Sequence, residues 1–486
     1  MTGSLHYAYK GRYIMDFSVR RDATSKFGKN KRWGTFPGLS FRWNLSDESW
    51  MDWSNGWLST FAVRPGWGIV GNQPGGENLF YSKYGNTQGY MGHTAIAPTN
   101  IALNTLHWEE KEQYNLGLNV GLFEDRIYGD LNLYRSVTRD LLMHKYRIPS
   151  SAGFEHLEYK NSGTMKNVGW EFNVNTNNFI KWSNGLKLDI NLTFANNQNK
   201  LVKMEQTMLD VINKDFDFKN GSYLTRVQLN TAFGSIFGFR YKGVYQYSQY
   251  SETEVPGVSG PNAPIARKAS GEVIRDEHGK TKAMYFAYGT GSQYEFKGGD
   301  AIYEDINHDG NINELDIVYL GSSLPKITGG FGFKLSWRRL SWNNQFNYRY
   351  GNKVINAARM NAESMYGNDN QSRAVNWRWR VEGDITQIPR ALRNYGYNWL
   401  ASDRFVEDGS FLRLNYTSIN YALDPALVKK WGLTSVSLFI SGTNVFKITK
   451  YSGADPEVGY GGYGIVTDNA QTPRSKNFSA GATIQF

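Results

Sequence analysis

Residues 186–194 place Leu186, Leu188, Ile190, Leu192 and Phe194 at every second position, with Lys187, Asp189, Asn191 and Thr193 between them. Successive side chains of an extended chain point to opposite faces, so this segment separates an apolar medium from a wet one. The pattern recurs along the chain and ends it, with Phe478, Ala480, Ala482, Ile484 and Phe486 alternating up to the last residue. So many two-faced strands are best satisfied by an all-β chain forming a transmembrane antiparallel β-barrel, with lipid on the apolar face and a polar lumen on the other. Such a barrel belongs in the cell outer membrane, with long loops extracellular and short turns periplasmic.

Composition agrees with this placement. The apolar fraction is 40% of 486 residues and the mean hydropathy is -0.54. No stretch is apolar over about 18 residues, which excludes spanning helices but not barrel strands, since only alternate residues of a strand meet lipid. Fifteen Trp, 31 Tyr and 27 Phe suit the headgroup level of a bilayer and equally suit contacts to sugars or peptides. The absence of Cys removes disulfides and thiolate chemistry. The 54 Lys and Arg against 44 Asp and Glu are scattered, so no nucleic-acid partner is expected, and a basic lumen or surface facing anionic solutes or lipid headgroups is the better reading.

Strands are expected within 5–20 and at 34–45, 57–68, 116–122, 127–133, 166–178, 184–196, 227–241, 331–337, 341–351, 410–423, 433–443 and 476–486. Allowing for a miscounted hairpin, this amounts to about 13 or 14 barrel strands. Four stretches without sustained period, 74–100, 242–325, 360–405 and 451–472, read as extracellular loops. The longest of these, 242–325, reads as an insertion rather than a separate domain. The residues after Met1 lack the basic and apolar regions of a signal peptide, which implies a processed chain or part of a larger product.

The sharpest local motif lies at 305–316. Asp305, Asn307 and Asp309 occupy loop positions 1, 3 and 5, Gly310 position 6, Asn311 position 7 through its carbonyl, and Asp316 position 12. An all-oxygen cage of this spacing suits Ca2+, and no organic cofactor is expected. The alternative is an Asx-rich turn held by its own amides. The seven His residues form no zinc-ligand spacing, and no catalytic site is expected. Tyr81, Tyr84, Trp377, Trp379, Tyr460 and Tyr463 are the candidate substrate contacts, being aromatic residues on long loops.

Several stretches together resemble the carboxyl-terminal region of SusC/RagA-type TonB-dependent outer-membrane transporters. They include Arg20-Arg21-Asp22-Ala23-Thr24-Ser25-Lys26-Phe27-Gly28, residues 32–37, 68–73 and 161–171, the 305–316 loop, residues 321–326, and Tyr451-Ser452-Gly453-Ala454-Asp455-Pro456-Glu457. The resemblance covers essentially the whole chain. It implies import of oligosaccharides or peptides through a barrel of about 22 strands, driven through TonB and closed by a SusD-like surface lipoprotein. It also implies that Phe486 belongs to the terminal assembly signal. No plug domain is recognisable, so a companion chain with the plug and the amino-terminal barrel strands is expected to complete the structure. A smaller barrel of this chain alone would put those loop motifs around the wrong circumference. The competing readings are a calcium-stabilised surface-binding or adhesion module without transport, and an outer-membrane hydrolase.

Overall fold

The computed structural model describes residues 1–90, 93–213, 223, 227–250, 263–287, 293–459 and 464–486. Thirteen strands pair in chain order into one antiparallel sheet: β1 (Thr2–Tyr9), β2 (Tyr13–Ala23), β3 (Trp33–Asn44), β4 (Leu58–Asn72), β5 (Glu109–Leu122), β6 (Ile127–Arg139), β7 (Thr164–Thr176), β8 (Leu186–Lys203), β9 (Ile327–Trp337), β10 (Leu340–Tyr350), β11 (Phe411–Ala422), β12 (Ser435–Thr449) and β13 (Asn477–Gln485). A two-residue strand, Ile180–Lys181, adds to β8 off this path. The sheet is open among the described residues: β1 pairs only with β2, and β13 only with β12.

Register carries the alternation from strand to strand. Leu188 lies opposite Leu335, Leu335 opposite Trp342, Trp342 opposite Ile419, and Ile419 opposite Ile440. Apolar side chains therefore form continuous cross-strand rows on one face, because a slip of one residue would turn a whole strand inside out. On β9, glycines let neighbouring backbones close in: a Cβ at Gly329 would strike the Thr193 carbonyl of β8, and one at Gly330 would press on the Phe346 carbonyl of β10.

The longest connections share one end of the sheet, joined there by the short 24–32. At one end are short turns at 10–12, 123–126 and 338–339 and moderate ones at 45–57, 177–185 and 423–434. At the other lie 24–32, 73–108, 140–163, 204–326, 351–410 and 450–476. Three of these long connections knit into one folded head. Lys353–Asn356 pairs with Val406–Asp408 and, in parallel, with Thr467–Asp468. Phe239 bridges Ser402. Beneath them lies a core of Phe237, Phe239, Phe286, Phe296, Tyr303, Ile312 and Leu400, all at most 5% exposed.

Two strand expectations are corrected. The strand placed within 5–20 is two strands, β1 and β2, joined by a three-residue turn in which Lys10 and Gly11 take φ of 53° and 68°. The turn is odd in length, so Tyr9 pairs with Tyr13 and Tyr7 with Met15, and the apolar parity continues as if the chain had never reversed. The strand expected at 227–241 is absent from the wall. Its residues Ser235–Gly238 instead pair with Val318–Ser322 in the head, and all four are buried. Continuous burial marks a segment covered on both sides, whereas a wall strand has one face for lipid.

The face assignment makes a direct prediction. Ile440→Arg on the apolar face should lower the unfolding free energy of the membrane-extracted protein by about 2–4 kcal/mol, whereas Ser441→Arg on the opposite face should change it little. Urea titration of the two variants checks this, and equal loss in both would place lipid on the wrong face.

Candidate functional site

Long connections on a rigid sheet are where recognition residues belong. Tyr81 and Tyr84, on the β4–β5 connection, are 57% and 69% exposed. Tyr84 opens a hairpin of Tyr84–Tyr90 with His93–Pro98. Trp377, on the β10–β11 connection, is 62% exposed, and the Arg373 guanidinium stands 5.8 Å from its ring centre. Tyr460 and Tyr463 lie outside the described residues.

Trp379 differs from Trp377 two residues earlier. It is buried, its indole N–H donates to Gln246 Oε1 at 3.1 Å, and its ring meets Tyr247 edge-on at 5.5 Å. Gly299, at φ 86°, lies against the same indole, where a Cβ would collide with it. The expectation of a solute contact is corrected here: Trp379 ties the β10–β11 connection to the β8–β9 connection and offers no ring face to a solute.

The same junction holds residues that sequence reasoning passed over. Asp300 is fully buried, and Arg390 reaches it from another connection through Nε at 2.6 Å and Nη2 at 3.2 Å. Tyr294 Oη and Asn398 Nδ2 also donate to this carboxylate, at 2.7 and 3.2 Å. Burial, followed by the Asp300 charge, raises the Tyr294 phenol above its usual range. Ninety residues separate Asp300 from Arg390, so nothing local signals the pair. Val381, Ile385 and Tyr395 add exposed apolar surface to the Trp377 connection, and isolated apolar residues in a polar loop carry no periodic signal.

The 305–316 loop is compact and self-bonded. Asp305 accepts from the Asp309 and Gly310 N–H groups, Asn307 from Asp309 N–H, and Asp309 from Asn311 N–H. Asp316 is buried and accepts from the Ile306 and Asn313 N–H groups at 2.8 and 2.9 Å. Its pKa is raised by burial, with Asp305 and Asp309 adding repulsion. Asn311 and Ile312 pair in parallel with Tyr285 and Phe286, and Ile312 is fully buried, so the loop is anchored in the head core. The donors are all oxygen, which fits a hard cation. Among the described residues, however, no three acidic or histidine side chains converge as a metal cluster. At the carboxyl terminus Phe486 is 93% exposed, and its carbonyl accepts from Thr434 Oγ1 at 3.0 Å.

Comparison with known proteins agrees with this architecture. Residues 3–263 match the family model described as TonB dependent receptor-like, beta-barrel. TonB-dependent receptor P39 of Formosa agariphila is 27% identical over 99% of this chain and 45% of its own length. TonB-dependent receptor SusC of Bacteroides thetaiotaomicron is 27% identical over 100% of this chain and 43% of its own. The solved structure of the RagAB peptide transporter superposes with a TM-score of 0.73 at 22% identity, covering 100% of this chain and 47% of that one. The chain thus spans less than half the length of these relatives. With apolar rows along one face of the sheet, the longest connections gathered at one end and a matching family model, the chain belongs to the TonB dependent receptor-like β-barrel family of the outer membrane.

Proposed function

We propose that this chain forms the wall and outer face of a TonB-dependent importer of oligosaccharides or peptides. The observation that carries this reading is the folded head: three long connections joined at one end of a lipid-facing sheet, presenting exposed Trp377 beside cationic Arg373. Aromatic faces and a guanidinium serve sugar rings and peptides alike, and RagAB, which shares the fold, is a peptide transporter. Backbone edges cannot stay unpaired in hydrocarbon. Further strands therefore pair with β1 and β13 to close a barrel of about 22 strands, whether this or another polypeptide carries them. The plug and its contact with TonB come with those further strands. A SusD-like lipoprotein covers the head.

Gentle extraction from outer membranes and sequencing of every associated polypeptide tests the assembly. Recovery of a plug-bearing segment, a lid lipoprotein and a retained oligosaccharide or peptide is expected. A discrete particle of this chain alone, with no solute bound, would overturn the proposal.

The 305–316 loop is proposed to bind Ca2+ through Asp305, Asn307, Asp309, Asn311 and Asp316 and so to stiffen the head. Asp316 has a raised folded-state pKa, so its stabilising contribution is complete below the ordinary Asp range and is lost as pH rises through the folded value. A bound dication would offset that loss. Calcium should therefore protect residues 293–326 from proteolysis more at pH 7 than at pH 4, and Asp305→Asn should weaken the protection. No bound calcium and unchanged cleavage would leave the loop as a plain Asx turn.

The two neighbouring tryptophans should separate stability from binding. Trp379→Ala is expected to destabilise the head by about 3–5 kcal/mol. Trp377→Ala should stay within about 0.5 kcal/mol in stability while weakening solute retention. Thermal unfolding and ligand recovery on both variants check the assignment.

A further inference from the structure

The tight turn between β9 and β10 carries aromatic residues of the apolar face. Trp337, Leu340 and Tyr421 belong to one cross-strand row running from Leu186 to Ala482 by way of Leu438. That row is apolar throughout, whereas the adjacent Lys187, Ser336, Ser341 and Asn420 are polar, which puts the first set on the lipid face. Trp337, Arg338, Arg339, Leu340 and Tyr421 line a groove of about 820 Å³. It lies at the short-turn end of the sheet, the periplasmic end of such barrels.

The groove pairs aromatic walls with a cation that has no acidic partner among the described residues. Trp337 Nε1 donates to the Asn184 carbonyl at 3.3 Å, which holds the indole, and the Arg338 guanidinium stands 5.1 Å from its ring centre. Arg339 is engaged by Asp424 at 2.7 Å. Arg338, exposed on the turn at φ 53°, has no ion pair among the described residues. The comparable turn between β5 and β6 sets Arg126 beside Glu124 and Asp125 and so carries no excess of positive charge. A guanidinium is a natural partner for phosphate, Trp and Tyr favour the headgroup level, and an apolar row continues up the wall from there.

We propose that this groove binds the phosphate headgroup of an anionic phospholipid in the periplasmic leaflet. Arg338 meets the phosphate, Trp337 and Tyr421 flank the glycerol region, and an acyl chain follows the apolar row. The inference needs only residence in the outer membrane, so it stands or falls separately from the import reading.

The test is native mass spectrometry of the detergent-extracted assembly titrated with phosphatidylglycerol, phosphatidylethanolamine or inorganic phosphate. Phosphatidylglycerol should be retained best, and Arg338→Gln should weaken its retention about fivefold. Arg338→Lys should recover most of it and Arg126→Gln should leave it unchanged, both variants keeping normal heat-modifiable mobility. Equal retention of phosphatidylglycerol by Arg338→Gln and the unaltered protein would overturn the proposal. So would equal retention of phosphatidylethanolamine, or displacement of the lipid by equimolar free phosphate.

Discussion

Hydrocarbon offers no partner for a peptide N–H or C=O, and most of this molecule follows from that. A chain crossing it as strands must pair each strand with a neighbour on both sides and give lipid its apolar face. The thirteen-strand path answers the first demand everywhere except at β1 and β13. The rows linking β8 to β12 answer the second. Because a strand has a period of two, each register commits a whole strand, and neighbouring strands constrain one another.

Beyond the bilayer the demand changes, and the chain changes with it. Segments such as Ser235–Gly238 are buried at every position because protein covers both sides. There the polar groups need local partners: Asp300 gathers Arg390, Tyr294 and Asn398, and Glu363 draws Arg404 and Arg359 to 2.7 and 3.0 Å. A buried carboxylate left with an unpaired charge is costly, so the Asp300 partners hold two long connections in one mutual arrangement, while the Glu363 partners fix the β10–β11 connection on itself. Such ion pairs are evidence for a specified arrangement more than for added stability.

This division decides what could be read from the sequence. Wall strands such as β8 and β12 were legible because their side chains answer to a medium, and a medium acts on every second residue alike. The β1–β2 turn hid itself by being three residues long, since an odd loop returns the chain in phase. The 227–241 segment misled because apolar residues alone do not distinguish lipid from a protein core as the covering material. Trp377 and Trp379 lie two residues apart in similar composition, yet Gln246, Tyr247 and Gly299, far away in sequence, alone explain why one is buried. The calcium-type spacing at 305–316 was legible as a turn because Asx side chains bond their own amides, which is a local matter.

The same division bears on motion. Wall strands run from eight to 18 residues, and all but the two end strands β1 and β13 share their hydrogen bonds with two neighbours among the described residues. The strands joining the head's connections run from two to five residues, as in Thr467–Asp468 against Lys353–Asn356 and Ser235–Gly238 against Val318–Ser322. Opening a short ladder breaks few bonds, and it does so where water can replace them, so the lowest-energy openings lie in the head. Within the head, Trp379 and the Asp300–Arg390 pair couple the β8–β9 and β10–β11 connections, so these two yield together rather than singly. Exposed Trp377 belongs to the second of these connections, so its ring sits on a coupled unit rather than on an independent loop.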